Sequence, residues 1–182
     1  MLRAILVVMT LAAAGLVVAA VFFCGDGPVG TIDAEGMNLY RRGKFDDALA
    51  TWRAGLETYP DSPRLHYRIG TILAVRKDFE PATVHLERAV ALVPDDPATR
   101  KELALLYLQQ ERTDDAEREL RCVLDQADWF PEVHYFLGVI HEKRGERERA
   151  MEEYVQELNV NPECGYAWAK VFESDRRKGS AE

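Results

Sequence analysis

Four histidines, three cysteines and several adjacent carboxylates are the residues of this chain whose types could do chemistry. Their spacing gives them little to do. None of His66, His85, His134 and His141 has a Glu or His four residues away, as in the HExxH pattern that turns two imidazoles toward one metal ion. Cys24, Cys122 and Cys164 form neither a CxxC pair nor a zinc spacing, and a Cys122–Cys164 bridge would need an oxidising compartment. Cys24 either pairs between chains or sits at a membrane edge. Glu152-Glu153 and Asp46-Asp47 fall on exposed helix faces, and Arg68, Lys101 and Glu102 read as a surface ion pair. With no phosphate loop and no nucleophile elbow, no catalytic residue, metal or cofactor is expected: the chain reads as a protein without enzymatic activity. Its net charge of −8 is unchanged when the first 30 residues, with Arg3 and Asp26, are set aside. An acidic chain is a poor binder of polyanions, so nucleic acid is excluded as the principal ligand.

The elements that must position these residues are set by a repeat. Gly36, Gly70, Ala104 and Gly138 recur every 34 residues, as do Ala48, Ala82, Ala116 and Ala150. Pro60, Pro94 and Pro162 keep the same step, with Asp128 in the one missing place. Trp52 and Leu56 follow Ala48 at helical spacing, and Arg41-Arg42-Gly43-Lys44 breaks the stretch before it. Ser62 and Asp96 precede Pro63 and Pro97, the arrangement of an N-cap followed by proline in the first turn. Each unit is therefore a helical hairpin whose small residues lie where the two backbones approach. His66 and His134 occupy equivalent places, His141 an inward position and His85 a second helix, so the repeat accounts for all four.

Four sets in register, Gly36-Leu39-Ala48-Trp52-Pro60, Gly70-Leu73-Ala82-Leu86-Pro94, Ala104-Tyr107-Ala116-Leu120-Asp128 and Gly138-His141-Ala150-Tyr154-Pro162, resemble the tetratricopeptide (TPR) repeat family over residues 29 to 178. The resemblance implies an all-α fold, an α-solenoid of four hairpins at about residues 29–62, 63–96, 97–130 and 131–164. At Asp128, Phe130-Pro131 supplies the break instead. A capping helix at 165–178 follows, with Trp168 and Val171 in phase and Phe172 in the small-residue place. Its far side, with Glu173, Asp175, Arg176, Arg177 and Lys178, is expected to be charged, as an end cap requires. Residues 179–182 are a tail.

The resemblance also implies where a partner would lie. In this family the first helices line a concave groove that receives a segment of another protein. Projected onto this chain, that groove carries Met37, Tyr40 and Arg41, then Arg64, Tyr67, Arg68, Thr71 and Ala74. It continues with Lys101, Leu105, Leu108 and Gln109, then Tyr135, Phe136, Val139 and Lys143, and ends with Tyr166 and Lys170. Aromatic rings alternate with cations, the composition of a protein interface, so an acidic or aromatic-containing partner segment is expected. The competing reading is that Tyr67 and Tyr135 pack against the next repeat. The lysine and asparagine clamp that some TPR proteins use for chaperone tails is missing: its places hold Asp33, Met37 and Arg68, or Tyr67, Thr71 and Glu102.

Ala4 to Phe23 is an uncharged apolar run. At about 1.5 Å per residue it matches the roughly 30 Å hydrocarbon core of a bilayer. Residues 1–24 are thus expected to be an N-terminal transmembrane helix, with a cleaved secretory signal as the rival. A lipoprotein reading of Cys24 is disfavoured because Phe23, which precedes it, is large. Arg3 favours a cytoplasmic N-terminus, and Asp26, Asp33 and Glu35 after the run place the repeats on the outer side, periplasmic in a bacterium. Arg41, Arg42 and Lys44 oppose that orientation. A linker at 25–30, on the order of 20 Å when extended, would hold the repeat domain at 31–178 close to the membrane. The expected function is a membrane-tethered adaptor or scaffold in an envelope complex. The alternative is a self-assembling structural component of a membrane complex, a homo-oligomer.

Overall fold

The computed structural model describes residues 27–179, which fold into helices without a strand. The chain divides into two compact units, one ending at Leu65 and the next beginning at His66. The first holds the hairpin of α1 (Gly27–Arg41) and α2 (Phe45–Thr58). Helix α3 (Pro63–Val75) crosses the division. The second unit continues through α4 (Phe79–Leu92), α5 (Pro97–Gln109), α6 (Thr113–Gln126), α7 (Val133–Lys143), α8 (Arg147–Val160) and α9 (Gly165–Gly179). There each helix from α4 to α9 packs on the next, the nearest-neighbour order of an α-solenoid.

The expected anchor at 1–24, with Cys24, lies outside the described residues, as does most of the tail. Among the described residues no helix is long and apolar enough to cross a membrane. Residues 27–30, expected as linker, open α1 instead. Pro28 stands in its first turn, where the missing N–H costs no helical hydrogen bond.

The turn inside each hairpin is one device used four times. The N–H groups of Lys44, Asp78, Arg112 and Glu146 bond the carbonyls of Leu39, Leu73, Tyr107 and His141, at 3.0, 3.0, 2.9 and 2.9 Å. This closure needs a left-handed residue just before the second helix. Gly43, Lys77, Glu111 and Gly145 fill that place, with φ of 74°, 65°, 61° and 78°. Two glycines meet the demand freely; Lys77 and Glu111 hold it under strain.

The small residues have a sharper role than backbone approach. A Cβ on Gly36 would lie 2.1 Å from Trp52 Nε1, one on Gly138 would lie 2.4 Å from Tyr154 Cε1, and one on Gly70 would lie 2.7 Å from Leu86 Cγ. The small residue is the hole, and the bulky residue sixteen positions later is the knob. At Gly70 backbone also presses, through the Ala82 carbonyl at 3.2 Å. Ala48, Ala82, Ala116 and Ala150 are buried beside these contacts.

Helix α7 departs from the pattern. Ser62 Oγ accepts the Leu65 N–H at 3.4 Å and Asp96 Oδ1 accepts the Ala98 N–H at 3.2 Å, so α3 and α5 start from their own N-caps. The equivalent residue before α7 is Phe130, which has no acceptor. The helix begins at Val133 and is 11 residues long, against 13 for α3 and α5. Its start is capped from outside. Glu157 of α8, 0% exposed, accepts the N–H of Glu132 at 2.8 Å and that of Tyr135 at 3.4 Å. The same register holds Gly55, Ala89 and Val123 in the other hairpins. A buried glutamate has replaced a small or apolar residue where a helix lost its cap.

Cys122 is half-buried, Cys164 is buried, and both are free thiols. Cys164 just before α9 and Ala167 on it face inward, while Tyr166, Trp168 and Phe172 are 70%, 55% and 63% exposed. The face expected to be charged does expose Glu173 and Arg176, and the helix also exposes Trp168 and Phe172 at i, i+4. Phe172 has no room problem, since no second helix covers it among the described residues.

Candidate functional site

The chemistry-bearing side chains sort first into structural stitches. Residues 19 apart link the two helices of each hairpin in the second unit: His66 Nδ1 to His85 Nδ1 at 3.0 Å, Arg100 to Glu119 at 2.5 Å, and His134 Nδ1 to Glu153 at 2.7 Å. His141 Nδ1 lies 2.6 Å from Glu146, whose carboxyl that contact holds below its ordinary range. The histidines thus belong to hairpin closure, and among the described residues no His/Cys/Asp/Glu group is assembled to hold a metal ion.

What remains is the face of the first helices. In the first unit Met37 and Tyr40 are half-buried and Arg41 is exposed. The Tyr40 ring meets Phe45 edge-on at 5.2 Å, and Arg64 Nε lies 3.9 Å from the Asp33 carboxylate. In the second unit Tyr67, Arg68, Thr71, Ala74, Leu105, Leu108 and Val139 are half-buried on α3, α5 and α7. Gln109, Lys143 and Tyr166 are exposed. The Arg68 guanidinium stands 5.8 Å from the Tyr67 ring centroid. Tyr135 packs among Phe136, Tyr154 and Tyr166 at centroid distances of 5.2, 5.8 and 5.7 Å. That cluster reaches α9, so packing between successive repeats explains much of Tyr135.

Beside Arg64, two more of the expected cations have carboxylate partners. Lys101 Nζ donates to Glu132 at 2.8 Å and stands 5.4 Å over the Phe130 ring. Lys170 Nζ donates to Glu142 at 2.6 Å, and the Tyr154 hydroxyl donates to the same oxygen at 2.9 Å. Bonding to Glu142 raises the Lys170 pKa, and burial together with that carboxylate pushes the Tyr154 hydroxyl far up.

Glu102, between these groups on α5, is different. It joins no ion pair with Arg68 or Lys101, contrary to the surface-pair reading. Burial raises its pKa, the Lys101 charge works against that rise, and the Glu132 charge adds to it. Tyr67 is raised by burial and then by the Glu102 charge, with Arg68 opposing. Row by row along successive first helices the same register presents Ala34, Arg68, Glu102, Phe136 and Lys170. Glu102 was available from that row as the residue one repeat after Arg68. Its burial, and the capture of Lys101 by Glu132, were not.

Two family models described as tetratricopeptide repeat match the chain, at residues 34–97 and 76–128. Among curated proteins, mouse DnaJ homolog subfamily C member 3 is 30% identical over 89 residues, covering 49% of this chain and 18% of that protein. The mouse BBSome complex member BBS4 is 26% identical over 151 residues, 81% of this chain and 29% of its own length. The chain thus spans less than a third of either relative. Among solved structures, MamA 41-end from Desulfovibrio magneticus RS-1 superposes with a TM-score of 0.71 at 19% identity, covering 83% of this chain and 88% of that one. Pseudomonas aeruginosa pilF gives 0.73 at 18% identity, with 81% and 68% covered. These two show the fold. The two repeat models together run from residue 34 to residue 128, over hairpins whose closures, holes and knobs share one 34-residue register, and the chain belongs to the tetratricopeptide-repeat family.

Proposed function

We propose that this chain is a protein-interaction adaptor without catalysis of its own, whose first-helix face receives a segment of another protein. The observation that carries this is the row of half-buried aliphatic and aromatic side chains (Leu105, Leu108, Val139, Tyr67) left partly open on α3, α5 and α7 beside charged groups. Rings and aliphatics that keep area in reserve, fringed by charge, are what a binding face needs. BBS4 is by name a member of a complex, and assembly into a larger complex is the role proposed here too.

The partner segment is proposed to be acidic or aromatic-containing, as the mixed rings and charges of the face suggest. The case for a generally acidic segment is weaker than the sequence alone implied, because Lys101 and Lys170 hold Glu132 and Glu142. Tethering through residues 4–23 and a place on the outer side of a membrane, in an envelope complex, are further parts of the proposal. They rest on the uncharged apolar run and on the acidic residues that follow it.

The test is partner capture from the native source by the full chain and by an Arg64→Glu, Arg68→Glu chain. Weakened capture with unchanged helicity is expected; unchanged capture overturns the assignment of the face. A second reading, self-assembly, is favoured by the exposed Trp168 and Phe172 on α9. Cross-linking at native abundance separates the two: a distinct co-purifying protein supports the adaptor, and homo-oligomers alone support assembly.

A further inference from the structure

We infer that Glu102 is the receptor for a basic side chain, a lysine or arginine, of the segment that lies along the first-helix face of the second unit. The inference rests on the proposed role of that face and adds to it the chemistry of one contact. Three observations carry it. First, Glu102 is half-buried on α5 and forms no hydrogen bond or ion pair among the described residues, although a charged carboxylate taken partly out of water gains strongly from a cation. Second, the adjacent lysine in the chain cannot serve it without loss. Lys101 is bonded to Glu132 at 2.8 Å and lies over the Phe130 ring, so turning to Glu102 would give up both contacts. Third, the surroundings suit a cation from outside. Tyr67 on the preceding first helix is half-buried like Glu102, and Lys101 beside Glu102 is held on Glu132, so the face offers a phenol ring and a carboxylate with its own cation engaged elsewhere.

Burial and the Glu132 charge both disfavour the ionised form of Glu102, which means the fold keeps this carboxylate at a cost. A residue that only stitched helices would contribute in the opposite sense. In the shared register row Glu102 lies on α5, so the partner segment should present its basic residue toward that helix. Neither nucleic acid nor a purely acidic tail supplies such a residue.

The probe is a displayed library of random dodecapeptides selected on the immobilised full chain. The expected result is a recovered consensus with one fixed Lys or Arg. The synthetic consensus peptide should bind the Glu102→Gln chain about tenfold more weakly than the wild type. Replacing its basic residue by Met should cost a similar factor, and the two changes together little more than either alone. The Glu102→Gln chain should also melt no lower than wild type at neutral pH, a result that a structural role for the carboxylate would not give. Peptides that bind but share no basic residue, or that bind Glu102→Gln equally, overturn this inference and leave the face standing. No enrichment over an uncoated surface overturns both, and a lowered melting temperature for Glu102→Gln overturns the inference alone.

Discussion

Glu157 and Glu102 are buried or half-buried carboxylates in the same unit with opposite consequences. Glu157 accepts two backbone N–H groups that would otherwise begin α7 without a partner. Glu157→Ala is expected to cost about 2–4 kcal/mol, the lost cap together with the desolvated donors it leaves behind. Urea unfolding measures it, and Glu157→Gln should recover part of the loss. For Glu102 the sign reverses, because its folded pKa lies above the unfolded value. Below the ordinary glutamate range of about 4.3 the group is protonated in both states and carries no penalty. As pH rises from there through the raised folded value the penalty develops, then stays constant. The stability advantage of Glu102→Gln should therefore be absent in acid and grow toward neutrality, and unfolding series at pH 4 and pH 7 give the comparison.

At the scale of the element, the hairpin turn is the most regular object in the chain. Lys77 and Glu111 stand in the left-handed place that Gly43 and Gly145 fill without strain. Lys77→Gly and Glu111→Gly are each expected to stabilise by about 0.5–1 kcal/mol, the relief of left-handed strain less the entropy glycine adds to the unfolded chain. Thermal melts of the single variants and of the pair, which should be additive at this separation, check it. Gly138→Ala should do the reverse, since its methyl would enter the Tyr154 ring at 2.4 Å. The hairpins and their small residues were legible because the repeat forces the same solution every 34 residues. The shortened start of α7 was legible only in half: Phe130 in a capping place was visible, and so was a glutamate in a register of Gly55, Ala89 and Val123. Their connection was not, because residues 25 apart in the chain meet only once α7 and α8 have packed.

For the molecule as a whole, the helical architecture followed from periodicity, whereas the electrostatics of the candidate face did not. Periodicity says which side of a helix a residue occupies. It does not say that Lys101 will spend its hydrogen bond on Glu132, 31 residues away, or that Glu102 will be half-buried without an ion pair of its own. The face is for that reason less cationic than its composition implies, and Glu102 is expected to add to its selectivity. The second unit, built by stacking each helix on the next, should also open from its end before it opens in the middle. That end carries a chemical clock. Cys164, 6% exposed under the first turn of α9, is shut away by the helix whose outer side holds Trp168 and Phe172 in water, while Cys122 is half-open. In a Cys24→Ser chain an aromatic disulfide reagent should label one thiol promptly and the second slowly. Low urea should hasten the slow phase well before the far-ultraviolet signal falls, so the lifetime of the closed end can be read in seconds at a spectrophotometer. A single fast phase for both thiols would mean that α9 does not guard its cysteine.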